Sequence, residues 1–297
     1  MTEDAIQQKT VKLFLLDGNP KGVKTIKMSN WSGRGYIVPR FELDKLFKID
    51  EIEIQNNLKS PCLYFLIGQS EKEFDKQKIY IGQTENIKNR IISHEKQKDF
   101  WNYLLFFVST DRGELNGGHI KYLEIICIDY VKQYKRCILD NTQQGARNVL
   151  SPEDKAFAIE FLLNIKTVLS SIGYRFLEPI VEISESQQLT NNLAILDDID
   201  NDMFFYLKNT NRNVNSRGMF TNDGFVVFTG STISKEGYET NKIFMDKVNF
   251  IDNSITTSED IIFTSPSQAS TAILGYPTNG RDYWKDKNNK SINEKLI

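Results

Sequence analysis

The sequence predicts an α+β protein in which a central catalytic-sized domain is flanked by two smaller α+β domains. Three observations predict it. Short apolar runs alternating with period two recur between longer runs with helical spacing. The length of 297 residues exceeds that of a usual single domain. Between residues 179 and 215 Ser, Gln, Asn and Asp dominate, as in a linker. The expected divisions are a small N-terminal α+β domain at 1–58, a central domain at 59–178 with a small three-stranded antiparallel sheet flanked by helices, the acidic, polar linker at 179–215, and a small C-terminal α+β domain at 216–297.

In chain order, Val11 to Leu16 reads as a strand, Asp17 to Gly22 as a dense turn cluster, and Val23 to Met28 as a returning strand. Gly35 to Val38 is a third short strand, and a helix runs from Pro39-Arg40 toward Phe47. Lys21, Lys24, Lys27, Arg34 and Arg40, with Trp31 and Tyr36, are of the types that track a nucleic-acid backbone and stack a base. The same residues also describe a solvated hairpin face with a buried Trp.

The central stretch from Pro61 to Arg136 reads strand, strand, helix, strand, helix. Leu63 to Ile67 and Ile79 to Gly82 are two strands joined by a polar connector, Gly68 to Lys78. Period two puts Tyr64 with Leu66 and Tyr80 with Gly82, so a hairpin brings both tyrosines to one face, where Gly82 leaves room for close approach. Thr84 is the expected cap of a helix from Glu85 to about Gln97. On it Arg90 and His94 lie four apart beside the stripe of Ile87 and Ile91, pointing toward the ends of the tyrosine strands. Tyr103 to Ser109 is a third strand. Gly117-Gly118 opens a helix from His119 to Lys135 whose buried stripe is Ile120, Leu123, Cys127, Val131 and Tyr134. Glu124 falls in the middle of that stripe, and a carboxylate there needs a cation, a proton or several donors.

Read together, these residues resemble the GIY-YIG nuclease family. Cys62-Leu63-Tyr64 stands where that family has Gly-Ile-Tyr, and Tyr80-Ile81-Gly82 matches its second half. Arg90, His94 and Glu124 follow in the family's order, with Asn141 a candidate for its late asparagine; Asn141 equally suits an Asp-Asn-Thr turn. The resemblance covers about 61–150. Cys62 in place of glycine and a longer interval between the tyrosines depart from it.

The resemblance implies a catalytic set of Tyr64, Tyr80, Arg90, His94 and Glu124, with Gly82 and Asn141 supporting. It implies hydrolysis of a DNA phosphodiester by an endonuclease with one Mg²⁺ or Mn²⁺ ion, held by Glu124 and otherwise mostly by water. Arg90 would pair with the scissile phosphate, and either Tyr64 or Tyr80, assisted by His94, would orient or deprotonate the attacking water. The implied setting is bacterial DNA processing or defence against foreign DNA. The alternative is a non-catalytic DNA-binding or modification-sensing protein on the same scaffold.

Past the central segment, Ser151-Pro152-Glu153-Asp154 starts a helix carrying Phe157, Phe161, Leu162, Ile165, Val168, Leu169 and Ile172, ended by Gly173. Asp198, Asp200 and Asp202 have the spacing of a calcium loop without its glycine or distal glutamate, which favours a solvated linker. Asn209 to Ser216 is a second flexible candidate. In the C-terminal part, Phe225 to Phe228 and Asp260 to Thr264 are strands, and Ser265-Pro266 opens a short helix stopped by Gly275. Residues 224–287 resemble an uncharacterised module that often trails bacterial GIY-YIG nucleases and is related to a domain attached to restriction methylases. That implies a DNA-reading accessory, with Tyr283 and Trp284 stacking a base and Arg281, Lys285 and Lys287 on phosphate; Trp284 equally suits the module's core.

Composition narrows the classes. Three cysteines without Cys-x-x-Cys spacing and two histidines argue against a disulfide framework or a histidine-rich metal site, and His119 reads as a helix-start residue. The formal charge of −2 supplies no global basic footprint, so phosphate binding has to come from a local cleft. With no signal-peptide core and no apolar run of membrane length, the expected location is cytoplasmic, and no membrane partner is expected. Oligomeric state is open.

Overall fold

Strand pairing in the computed structural model runs across the division expected at residue 58. The structure describes residues 8–71, 76–111, 114–142, 149–180, 204–251 and 253–295. The calcium-like acidic run and most of the expected linker lie outside them. The chain divides into two units, Met1–Pro179 and Ile180–Ile297.

The first unit starts with β1 (Val11–Leu15), β2 (Lys24–Met28) and β3 (Gly33–Pro39). After a 3-10 turn at Arg40–Glu42 come α1 (Leu43–Phe47) and α2 (Ile52–Asn57), then β4 (Cys62–Gln69), β5 (Gln77–Thr84), α3 (Ile87–Glu95), β6 (Trp101–Ser109), α4 (Gly117–Tyr134), β7 (Ile138–Leu139) and α5 (Pro152–Ser171). One seven-stranded sheet orders them β1-β2-β3-β6-β4-β5-β7. The expected antiparallel trio β5-β4-β6 is present as its middle. However, β3 pairs with β6 from Gly33↔Ser109 to Pro39↔Tyr103, which makes residues 1–58 part of the same sheet instead of a separate domain. Short β3 bears apolar residues on both faces because both are covered, as a central strand requires.

The alternation of β4 sorts the core. Leu63, Phe65 and Ile67 join Ile79 and Ile81 under α4 and α5, while Cys62, Tyr64 and Leu66 join Ile54, Ile87 and Ile91 under α1 to α3. The result is three layers, helices on both sides of the sheet. Helix α3 is capped by Asn86, whose side chain accepts from the Asn89 amide, and not by Thr84. The strand continues through Thr84, whose hydroxyl instead accepts from the Asn86 amide at 3.1 Å. Ser151 caps α5 as its sequence predicts, accepting from the Asp154 amide with Pro152 in the first turn.

The second unit comprises β8 (Phe205–Asn209), β9 (Val214–Thr221), β10 (Gly224–Val227), β11 (Thr232–Ile233), α6 (Lys235–Thr240), β12 (Val248–Ile251), β13 (Ser254–Thr257), β14 (Ile261–Phe263), α7 (Pro266–Leu274), α8 (Gly280–Tyr283) and α9 (Ile292–Lys295). Residues 209–216, expected to be flexible, instead finish β8, turn and begin β9. In the sheet β9 pairs with β8, β10 and β11. Helix α7, capped by Ser265 and closed by Gly275 at φ 77°, packs Ala269, Ile273 and Leu274 against Phe225, Val227 and Phe263. Mixed α+β architecture with two sheets therefore holds for the chain. No helix among the described residues is long and apolar enough to cross a membrane.

Candidate functional site

The hairpin register sets the site. Tyr64 faces Gly82 and Leu66 faces Tyr80 across β4 and β5, so the two tyrosines sit diagonally on the α3 side with ring centroids 6.2 Å apart. A Cβ added to Gly82 would lie 2.3 Å from both Cζ and Oη of Tyr64. What approaches the bare backbone of Gly82 is thus the Tyr64 ring itself.

From α3, Arg90 and His94 reach the same place one turn apart, as their spacing predicts. Arg90 Nε donates to the Tyr64 hydroxyl oxygen at 3.1 Å, and that hydroxyl meets His94 Nε2 at 2.7 Å. The Tyr64 hydroxyl is thus held between Arg90 and His94, the imidazole tautomer deciding which of Tyr64 and His94 donates to the other. Burial, then the charges of Arg90 and Lys98, lower the His94 pKa to about 4 against the pull of Asp140, which keeps the imidazole neutral. His94 Nδ1 is buried without a hydrogen-bond partner among the described residues. Tyr64 is fully buried, and desolvation drives its pKa well above that of an ordinary phenol, with nearby Tyr80 adding to the rise against Arg90. Tyr80 is half-buried, its ring 4.9 Å from that of His94, and its hydroxyl also hydrogen-bonds Arg90.

Glu124 arrives from the other side of the sheet, and the edge of β5 explains how. Every second residue of β5 turns its backbone outward, away from β4. Ile79 accepts from the Asp140 amide at 2.7 Å where the short β7 ends. At Ile81 the Asn141 side chain replaces a strand, accepting from N–H at 2.9 Å and donating to C=O at 2.8 Å. Two residues on, the Gln83 amide hydrogen-bonds the Glu124 carboxylate. Because β7 stops after two residues, the sheet is open at this point, and side chains from both helical layers meet at one edge.

The Glu124 carboxylate is half-buried, and desolvation raises its pKa against the opposing fields of Arg90 and Lys121 and the Gln83 hydrogen bond. No Lys or Arg among the described residues closes an ion pair with it. No group of three His, Cys, Asp or Glu with metal-binding geometry occurs among the described residues. A single hard carboxylate at an open edge does fit one hard divalent cation that keeps most of its water shell.

Sequence reasoning missed the neighbours that complete this edge. Asp140 pairs with Lys78 at 2.7 Å and Lys98 at 2.5 Å, and Lys98 Nζ lies 4.3 Å from the Tyr80 ring centroid. The available signals were the stride 90, 94, 98 and the position of Asp140 directly before Asn141.

Other candidates are placed elsewhere. His119 closes a capping box with Asn116 and bonds Asp154 at 3.0 Å through Nε2, tying α4 to α5. Trp31 packs between Phe107 and Phe161, and Tyr36 stacks on Phe106 at 4.5 Å, so neither is a base-stacking platform. Arg34 is buried against Glu53, and Arg40 lies on the Trp101 ring while donating to backbone carbonyls; Lys21, Lys24 and Lys27 stay on the surface. In the second unit Trp284 is 0 % exposed, packs with its ring tilted 4.8 Å from that of Phe225 and donates Nε1–H to the Pro266 carbonyl. It fills the core and is unavailable to stack a base. Lys285 bridges to Tyr206 through its backbone, while Arg281 and Tyr283 are exposed.

A family model described as a domain of unknown function (DUF4357) matches residues 205–295, the span from β8 to α9. No curated protein and no solved structure matches the chain.

Proposed function

We propose that the chain is a divalent-metal-dependent endonuclease that hydrolyses DNA phosphodiester bonds, in DNA processing or in defence against foreign DNA. The observation that carries this reading is the convergence, at one open sheet edge, of Arg90, the two tyrosines, a neutral His94 and a Glu124 carboxylate without an ion-pair partner among the described residues. The resemblance of residues 61–150 to GIY-YIG nucleases supports it.

Each residue then has a task. Arg90, exposed and positively charged, binds the scissile phosphate with the N–H donors it does not use on the tyrosines. Tyr64, wholly buried, fixes Arg90 and His94 from below and is not itself a base. Tyr80 is the tyrosine an attacking water can reach, and its hydroxyl orients that water toward phosphorus. Water adds to phosphorus and one ester oxygen leaves, giving a phosphate end and a hydroxyl end. Glu124 would hold the Mg²⁺ or Mn²⁺ ion, its carboxylate aimed by the Gln83 amide and brought to the edge by α4. When bound, the ion supplies Lewis acidity and charge neutralisation at the phosphate. The second unit serves as an accessory in substrate choice, through surface groups such as Arg281 and Tyr283 and not through Trp284.

The test is cleavage of labelled single- and double-stranded DNA with Mg²⁺, Mn²⁺ or chelator. Metal-dependent cutting is expected from the wild type and loss of it from Glu124→Ala and Arg90→Ala. A Glu124→Gln protein cutting at the wild-type rate rules out the metal assignment. Wild type that binds DNA without cutting in either metal transfers the site to the sensing alternative.

A further inference from the structure

Lys98 and its partners have no task in this scheme. Beyond the end of α3 the Lys98 amide still donates to the His94 carbonyl, at 2.9 Å, so residues 90, 94 and 98 continue one helical stride. Its ammonium is held on two sides, by Asp140 and by the face of Tyr80. The other oxygen of Asp140 takes Lys78, whose ammonium lies 4.7 Å from the centre of the Phe100 ring. Two ammonium groups thus share one carboxylate, leaving one surplus positive charge among the described residues in a place where Lys78 and Lys98 are 32 % and 20 % exposed. The segment is already joined to β5 by its own backbone, through the β7 pairing and the Asp140 amide on the Ile79 carbonyl. The second cation adds repulsion near Arg90, since both act on His94 with the same sign. A bound anion offsets that repulsion, and aromatic faces keep the ammonium groups in place before it arrives.

We propose that Lys98, backed by Lys78 and aimed by Asp140, binds a second DNA phosphate on the strand being cut, flanking the one held by Arg90. This rests on the nuclease reading and adds a binding residue to it. Lys98 follows Arg90 by eight residues, about 12 Å if the helical rise is carried on past Glu95. Phosphates of one strand follow every ~3.4 Å along a duplex axis, so the second phosphate lies within about four nucleotides of the first. Asp140 is a positioning residue, acting through the lysines.

The test uses the full chain carrying Glu124→Ala, which leaves DNA intact, and measures binding of a fluorescent oligonucleotide from about 50 to about 200 mM salt. Adding Lys98→Met keeps the stem on Tyr80 but removes the charge. It is expected to weaken binding several-fold at low salt and to reduce the slope of log K against log[salt] by about 0.7 to 0.9, one phosphate contact. Lys98→Arg keeps the charge and is expected to restore both, whereas a lysine that only pairs with Asp140 would leave the salt slope of Lys98→Met at the parental value. In cleavage, Lys98→Met raises KM more than it lowers kcat. A folded Lys98→Met protein with the parental slope and affinity, in a chain whose wild type cuts DNA, overturns this proposal alone. A wild type that neither cuts nor binds DNA overturns the nuclease reading and this proposal with it.

Discussion

Gly82→Ala is the smallest change that strikes the centre of the site. The backbone there is ordinary extended strand, so alanine brings no conformational strain, and its methyl is the whole perturbation. That methyl would sit 2.3 Å from Cζ and Oη of Tyr64 and 2.8 Å from Cε1. The ring must retreat by about 1 Å or more to reach an ordinary contact of ~3.5 Å. It has nowhere to go: Tyr64 is fully buried, and its hydroxyl is held by both Arg90 and His94. Overpacking of this kind costs about 1–3 kcal/mol, and loosening two hydrogen bonds adds about 1–2 kcal/mol. We expect Gly82→Ala to lose about 2–5 kcal/mol in urea unfolding of the first unit and to lower cleavage sharply. In a Tyr64→Ala background the same substitution should cost less than about 1 kcal/mol, since the atoms it strikes are gone. The difference is a double-mutant coupling of about 1–5 kcal/mol. Equal costs of Gly82→Ala in the two backgrounds, or a single variant within about 0.5 kcal/mol of wild type, would refute the packing argument.

Three further outcomes are expected. His94 takes up its proton only near pH 4 in the folded chain but near its ordinary value of about 6.5 when unfolded, so the unfolded state binds more protons in between. Its contribution to stability is therefore complete above about pH 7 and declines as pH falls toward 4, by up to about 3 kcal/mol; a His94→Gln protein with the wild-type pH dependence of its urea midpoint would contradict this. Asn141→Asp keeps the acceptor for the Ile81 amide but cannot donate to the Ile81 carbonyl. It should cost about 1–3 kcal/mol and speed hydrogen exchange at Ile81, and unchanged exchange would show that β5 does not depend on this side chain. Trp284→Phe removes the bond to Pro266 and leaves a void beside Phe225, so the second unit should lose about 2–3 kcal/mol; a wild-type unfolding midpoint would count against Trp284 as a core residue.

Local pattern made much of the site legible. Period two placed Tyr64 and Tyr80 on one face, and the four-residue step placed Arg90 above His94. A carboxylate within an apolar helical stripe singled out Glu124. What pattern could not show was pairing between distant segments. Nothing in 33–39 or 101–109 announces that these strands are neighbours, so residues 1–58 read as a domain of their own. Short elements also escaped: α2 is six residues long, below the span over which helical periodicity can be seen. Phe204 to Leu207, an aromatic run, was the overlooked sign that β8 begins the second unit within what reads as linker. Trp284 shows the limit for single aromatics, since a core indole and a stacking indole look alike in sequence.

The position of β6 bears on how the first unit comes into being. The hairpin β4–β5 pairs neighbours in sequence and can form by itself early. Strand β3, made long before, must wait for β6 to supply partners such as Ser109 for Gly33 and Phe106 for Tyr36. Until Trp101–Ser109 has left the ribosome, β3 and β4 each expose an unpaired, apolar edge, the condition under which chains associate wrongly. Slower synthesis of this segment prolongs that exposure, and a chaperone that shields the two edges meanwhile shortens it.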